Sequence, residues 1–229
     1  MKILVTSGGT SEAIDSVRSI TNHSTGRLGK IITETLLAAG HEVCLITTKR
    51  AVKPEAHPNL SILEITNTND LLLEMEERVK DYQVLIHSMA VSDYTPVYMT
   101  GLEEVQASSN LEEFLNKQNH QAKISSTDDV QVLFLKKTPK IISLVKEWNP
   151  AIHLIGFKLL VDVSEDHLVD IARKSLIKNQ ADLIIANDLT QISANQHRAI
   201  FIEKNQLQSV NTKEEIAKLL LEKIQAYHS

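Results

Sequence analysis

Cysteine is almost absent from this chain of 229 residues, and Cys44 is the only one. A lone cysteine forms no internal disulfide, which fits a reducing compartment and predicts a cytoplasmic protein. It sits in the apolar run Val43-Cys44-Leu45-Ile46 and reads as a small buried hydrophobe. The nine histidines show no HExxH or similarly spaced ligand pair, so no structural zinc is expected. No apolar run reaches the roughly 20 residues of a membrane span, and the apolar strand pattern at the first residues leads us to expect no signal peptide. Neither a GxSxG nucleophile elbow nor a GxxxxGK[ST] phosphate loop occurs. Basic residues are outnumbered, 24 against 29, and the net charge of −5 argues against a nucleic-acid partner. Internal repeats and low-complexity tracts are also missing. One large unit, 1–229, is the economical reading.

Glycine is scarce too, and its placement is informative. Of seven glycines, four (Gly8, Gly9, Gly26, Gly29) fall in the first 29 residues. There the apolar run Ile3-Leu4-Val5 stops at Thr6-Ser7-Gly8-Gly9-Thr10, and Asn22-His23-Ser24-Thr25-Gly26 leads into a helical pattern. Glycine permits positive φ and close backbone approach. Such a stretch reads either as a loop that receives an anion or as an ordinary tight strand-to-helix turn.

Onward from Arg27, Leu28, Ile31, Ile32, Leu36 and Ala39 share a helical face that ends at Gly40. Residues 41–47 and 61–65 read as strands, Asp70–Lys80 as a helix, and Gln83–Ser88 as a fourth strand. This β-α-β-β-α-β order predicts an α/β fold with a Rossmann-like, mostly parallel sheet flanked by helices. Residues 93–127 carry Pro96 and Gly101 and lack a clear period beyond Leu111–Leu115, which predicts a flexible flap or an arm to a partner subunit. Val130–Leu135 reads as a strand. Thr138-Pro139 reads as the cap and first position of a helix to Trp148. Strands at 153–157 and 182–186, a helix at 164–179, and a C-terminal antiparallel hairpin at 198–203 and 207–210 follow. Thr212 and Glu215 have capping-box spacing for a last helix.

Three features offer chemistry at one sheet edge. They are the N-terminal loops with Arg18 and Asn22 as anion and carbonyl ligands, Lys123 in the polar linker, and Lys174 with Lys178 on one helix face. The last pair reads equally as a solvated basic stripe. Asp93, just beyond the fourth strand, suits Mg²⁺, a ribose hydroxyl, or a turn cap. An NADP-dependent Rossmann-fold reductase is the main rival. However, Thr6–Glu12 departs from GxGxxG, and no tyrosine is followed four residues later by lysine.

Taken together, the motifs resemble the phosphopantothenate–cysteine ligase family. They are Thr6–Glu12, Asp15–Gly26, Met89–Tyr94, Lys137–Ile142, Ile155–Leu159, Ala172–Lys174 and Ala186–Asp188, in the family's order. The resemblance covers essentially the whole chain and is to the stand-alone bacterial form. A separate flavin-dependent decarboxylase is then expected in the pathway. It implies that 4′-phosphopantothenate is activated by CTP, with Mg²⁺, to an acyl-cytidylate, then condensed with L-cysteine; ATP is the alternative nucleotide. It further implies a cytoplasmic homodimer. By position, Asn22, Arg18 and Lys123 would be catalytic, and Gly8, Gly9, Ser24, Gly26 and Ala90 would hold the substrate or intermediate. Asp93, Thr138, Pro139, Lys140, Ile141, Phe157, Lys174, Lys178 and Asn187 would contact the nucleotide. The flap motif departs from the family's lysine-rich run, reading Lys123-Ile124-Ser125-Ser126, and metal ligands are not assigned.

Overall fold

The computed structural model describes residues 1–125, 127–193 and 195–227. Its first strand, β1 (Lys2–Thr6), leads into a small antiparallel hairpin, β2 (Ser11–Ala13) with β3 (Ser19–Thr21). The periodicity had not signalled this hairpin, because its strands are only three residues each. Then come α1 (Arg27–Ala38), β4 (Glu42–Thr48), β5 (Leu60–Ile65), α2 (Thr68–Arg78) and β6 (Val84–His87). A capping box fixes the start of α2: Asp70 N donates to Asn67 Oδ1 at 2.9 Å, and Asn67 N donates to the Asp70 carboxylate at 3.3 Å.

Residues 93–127, which lacked a clear period in sequence, contain regular elements. They contain the eight-residue strand β7 (Tyr94–Gly101), the short helix α3 (Leu102–Ala107) and a 3₁₀ turn at Leu111–Asn116. β7 pairs antiparallel with β8 (Gln131–Lys137) as a ribbon separate from the main sheet. Pro96 concealed the strand; it lies where the register shifts between Pro96 and Tyr98, a position that tolerates a missing N–H. Phe114, fully buried, stacks between Tyr98 at 6.0 Å and Phe134 at 4.8 Å, giving the ribbon an apolar centre of its own.

The helix expected from Thr138 is also corrected. Only a 3₁₀ turn at Ile141–Ser143 and the four-residue α4 (Val145–Trp148) form. Thr138 instead bonds sideways: its hydroxyl donates to Ser92 O at 2.5 Å, and its N–H donates to Asp93 O at 3.0 Å. The remaining elements follow the sequence reading: β9 (His153–Leu160), α5 (Glu165–Lys178), β10 (Leu183–Asp188), β11 (Ala199–Ile202), β12 (Leu207–Val210) and α6 (Lys213–Ala226). Ser164 caps α5, and Thr212 with Glu215 forms the capping box of α6.

The main sheet has eight strands in the order β12-β11-β10-β9-β6-β1-β4-β5. The six from β10 to β5 are parallel, and β11 and β12 add the antiparallel hairpin. Renumbered by chain position, the parallel strands run 3-2-1-4-5-6, the doubly wound order, with the reversal between β1 and β6. Alternation splits the core. Leu4, Leu85, Leu154 and Ile184 pack under Leu71, Met75, Val145, Leu168 and Ala172 of α2, α4 and α5. Ile3, Val5, Ile86, Ile155 and Ile185 pack under Ile32 and Leu36 of α1 and Ile216 and Leu220 of α6. These strands are covered on both faces, which explains their nearly continuous apolar runs.

Candidate functional site

Ligands of open α/β sheets collect beyond the carboxyl ends of the strands where the order reverses. In this chain those ends are residues 7–10 after β1 and 88–92 after β6. The two segments are sewn together: Ala90 N donates to Gly8 O at 2.9 Å, and Thr10 N donates to Ala90 O at 3.1 Å. Ser92 N adds a bond to Thr10 Oγ1 at 2.9 Å.

Asn22 is laid across this seam. Its Nδ2 donates to Ala90 O at 3.1 Å and to Ser92 Oγ at 3.3 Å. A carbonyl oxygen can only accept, so the Ala90 contact fixes which way the amide points. Both amide hydrogens are thereby engaged, which leaves Oδ1 as the amide's remaining hydrogen-bonding group. Gly9 lets this happen: a Cβ there would fall 2.7 Å from Asn22 O. Gly29 serves a second close approach, since its Cβ would meet Ser7 Oγ at 2.1 Å. Gly8 and Gly26 both have left-handed backbone, and Ser24 N closes a turn onto Asn22 O at 2.9 Å. These glycines therefore shape the loops against each other.

Arg18, expected as an anion ligand, is engaged within the protein. Its Nη2 and Nε donate to Asp15 Oδ2 at 2.6 and 3.0 Å, and Nη2 also donates to Ile124 O at 3.0 Å. Asp15 Oδ1 takes the N–H groups of Val17 and Arg18, each at 2.9 Å, and Oδ2 takes that of Ile124 at 3.2 Å. The Arg18 guanidinium, foremost, and these backbone donors hold the Asp15 carboxyl well below the usual carboxylate range. Ser16 N donates to Ala122 O at 3.0 Å. Lys123 is thus an exposed side chain on a segment anchored through both neighbours, with Ile124 buried. Ser126, the end of that motif, lies outside the described residues. Asp15 was missed from sequence, although Asp15-x-x-Arg18 has the spacing of an Asx turn.

A second cluster is joined to the first through Ser92. Thr138 binds Ser92 O as described, and Lys140 Nζ pairs with Asp93 Oδ1 at 3.0 Å, both side chains exposed. Pro139 is exposed beside them, whereas Ile141 is 2% exposed and belongs to the core. Ser143 Oγ donates to Asn179 Oδ1 at 2.9 Å, tying this turn to the end of α5, on whose exposed side Lys174 and Lys178 stand. Lys174 is paired with Asp170 at 2.7 Å. Phe157 packs on the α1/α6 face, across the sheet from the turn. Asn187 is buried, and its Nδ2 donates to Arg198 O at 2.8 Å, anchoring the entry to β11.

His87 closes β6 beneath these loops, 2.7 Å from Thr6 Oγ1. Burial, and secondarily the charge of Lys140, push its pKa down to about 4, so the ring is neutral at pH 7. Among the described residues no three His, Cys, Asp or Glu side chains converge as a metal cage. Asp93 is an exposed carboxylate whose partner is Lys140. A cavity of about 500 Å³ lies elsewhere, against the ribbon, lined by Ile14, Tyr98, Met99, Lys117, Asn119 and Lys136 among others. Among the described residues no helix is long and apolar enough to cross a membrane.

Comparison with known proteins bears on what this edge serves. Residues 1–102 and 105–227 match the family described as DNA/pantothenate metabolism flavoprotein C-terminal domain. The chain belongs to this family. A solved flavoprotein of that description from Streptococcus pneumoniae is 91% identical, with a TM-score of 0.96 over 100% of both chains. The coenzyme A biosynthesis bifunctional protein CoaBC of Thermococcus kodakarensis is 33% identical over 98% of this chain and 51% of its own length. Human phosphopantothenate–cysteine ligase is 27% identical over 82% of this chain and 72% of its own length. This member of the family spans about half the length of the CoaBC relatives it matches.

Proposed function

We propose that this chain is a phosphopantothenate–cysteine ligase of coenzyme A biosynthesis, using CTP. The observation that carries the reading is the double use of Ser92. Its hydroxyl accepts from Asn22 Nδ2 and its carbonyl from Thr138, so an acyl group at Asn22 and a nucleotide at the 138–141 turn share one wall. In the first step a carboxylate oxygen of 4′-phosphopantothenate bonds to the α-phosphorus of CTP and pyrophosphate leaves. In the second the amine of L-cysteine bonds to the acyl carbon, CMP leaves, and the amine loses a proton. Proximity on one wall supplies much of the rate, because both steps are bimolecular in solution.

Asn22 Oδ1 would accept from a donor on the acyl group or from the incoming amine. Gly8, Gly9, Ser24, Gly26 and Ala90 would form the substrate wall. Arg18 would act through Asp15 by keeping Lys123 over the acyl group. Lys140, Lys174 and Lys178 would offset phosphate charge, Asp93 would hold Mg²⁺ on the phosphates, and Thr138, Pro139 and Ile141 would enclose the nucleotide. Mg²⁺, when bound, supplies further charge neutralisation. Phe157 and Asn187 would contribute through the strand ends that they stabilise. CTP is favoured over ATP because the motif set resembles the bacterial form. A homodimer using the 93–127 arm, a cytoplasmic location and a separate flavin-dependent decarboxylase complete the proposal. Nothing favours the NADP-dependent reductase, whose pyrophosphate crevice is crossed by the Gly8–Thr10 and Ala90 seam.

The test is pyrophosphate release from CTP, ATP, GTP or UTP with phosphopantothenate, followed by amide formation on adding cysteine. Release dependent on phosphopantothenate is expected with CTP first. No release with any of the four would sink the ligase reading.

A further inference from the structure

His87 is a buried polar side chain for which the family motifs give no role. It ends β6 beside the switch point and is 8% exposed. By strand alternation its side chain leaves the sheet on the same face as Leu85, toward α2, α4 and α5. The 138–143 turn covers that face. Ile142 Cδ1 lies 2.9 Å from where a Cβ on Gly156 would be, and Gly156 is the register partner of His87 on β9.

The hydrogen bonds define the ring's tautomer. Thr6 is fully buried, and its Oγ1 already accepts from Met89 N at 3.3 Å. Its hydroxyl hydrogen has one acceptor among the described residues, His87 Nδ1 at 2.7 Å. Nδ1 therefore accepts, and the ring proton is on Nε2. Nε2 makes no hydrogen bond with the described residues. It is not among the sealed polar atoms without a partner, such as Thr33 Oγ1 or His197 Nδ1. A donor without a partner among the described residues, at a switch point and close enough to Lys140 to feel its charge, is placed to meet an anion.

We propose that Nε2–H of His87 is a positioning donor for a phosphate oxygen of the nucleotide bound under Lys140, an inference that rests on the ligase reading and deepens it. A neutral imidazole suits this place. It donates without adding a second positive charge beside Lys140, and the Thr6 hydroxyl keeps the proton on the nitrogen that faces the ligand.

The test compares His87→Phe with His87→Gln in the full chain, measuring CTP affinity by calorimetry and thermal unfolding in parallel. Both variants disturb the Thr6 bond, but only glutamine offers an N–H near the Nε2 position. A hydrogen bond to a charged oxygen predicts about tenfold weaker CTP binding for His87→Phe, with at least partial recovery in His87→Gln. Unchanged binding in His87→Phe, or equal losses in the two, would overturn the proposal, the latter by reducing His87 to a support for Thr6. If wild-type protein binds none of the four nucleoside triphosphates, the ligase reading falls and His87 falls with it. Normal wild-type binding with an indifferent His87→Phe removes His87 alone.

Discussion

Asp15 and Arg18 meet at 2.6 Å, and both also hold the backbone of Ile124, one through its N–H and the other through its carbonyl. One ion pair thus clasps a segment more than 100 residues away in sequence. Asp15→Asn keeps the shape but loses the charge that organises these donors. Backbone amides at 122–125 are expected to exchange with deuterium faster, with little change in the protection of β1 or β6. Unchanged exchange at 122–125 would show that the clasp does not hold the segment.

Asn22→Asp replaces a donor with an oxygen facing Ala90 O and Ser92 Oγ. An acceptor placed against the Ala90 carbonyl in this half-buried position costs about 1 kcal/mol. Under the ligase reading, turnover should fall far more than CTP affinity, because Asn22 stands on the acyl side of Ser92. Equal losses in kcat and in CTP binding would remove Asn22 from the acyl site.

Gly29 tests packing alone. A methyl at Gly29 would run into Ser7, at 2.1 Å from Oγ and 2.4 Å from Cβ. Gly29→Ala should lower stability by about 1–3 kcal/mol, read from denaturant midpoints. Ser7→Gly removes both clashing atoms, so the double variant should recover most of the loss. Simple addition of two losses would contradict the geometry.

Lys140 and Asp93 form an exposed pair, and such pairs contribute about 0–1 kcal/mol. Lys140→Ala should leave the melting temperature nearly unchanged while raising KM for the nucleotide roughly tenfold. A lower melting temperature with unaltered KM would make the pair a structural one.

Acid should weaken the fold in two stages. His87 and His197 are held neutral, chiefly by burial, each with its pKa pushed down to about 4. Unfolding lets them take up protons near the ordinary 6.5, so their contribution is complete above that value and is lost as the pH falls toward 4. Asp188 follows lower down. The Val163 N–H, then Thr190 and the Asp162 N–H, hold it at about 2, so its contribution is lost as the pH falls from about 3.8 through 2. Denaturant midpoints from pH 7 to 4 should decline, and His87→Phe should flatten part of that slope.

Most of the parallel sheet was legible because its signals are local. The apolar runs of β1, β4 and β6, the Thr212 cap and the hairpin at the C-terminus all declare themselves within a few residues. What stayed hidden depends on distant partners. Pro96 argues against a strand until β8 is seen beside it, and Thr138-Pro139 looks like a helix start until Ser92 takes its hydroxyl. The same holds at the site. Asn22 was visible as a polar residue in a glycine-bearing loop, but its orientation is set by Ala90, 68 positions on. Arg18 was visible as a basic residue, but its tie to Ile124 spans 106 positions and has no local signal.

The seam between Gly8–Thr10 and Ala90 also limits what this scaffold can be made into. A designer wishing to install a dinucleotide here would first have to unpick two backbone hydrogen bonds and the Asn22 crossing, and then re-house the peptide groups so exposed. Swapping glycines to restore a fingerprint would not reopen that slot. Changes confined to the outer turn at 138–141 leave the seam intact, which under the ligase reading makes that turn the easier place to retune the choice of nucleotide.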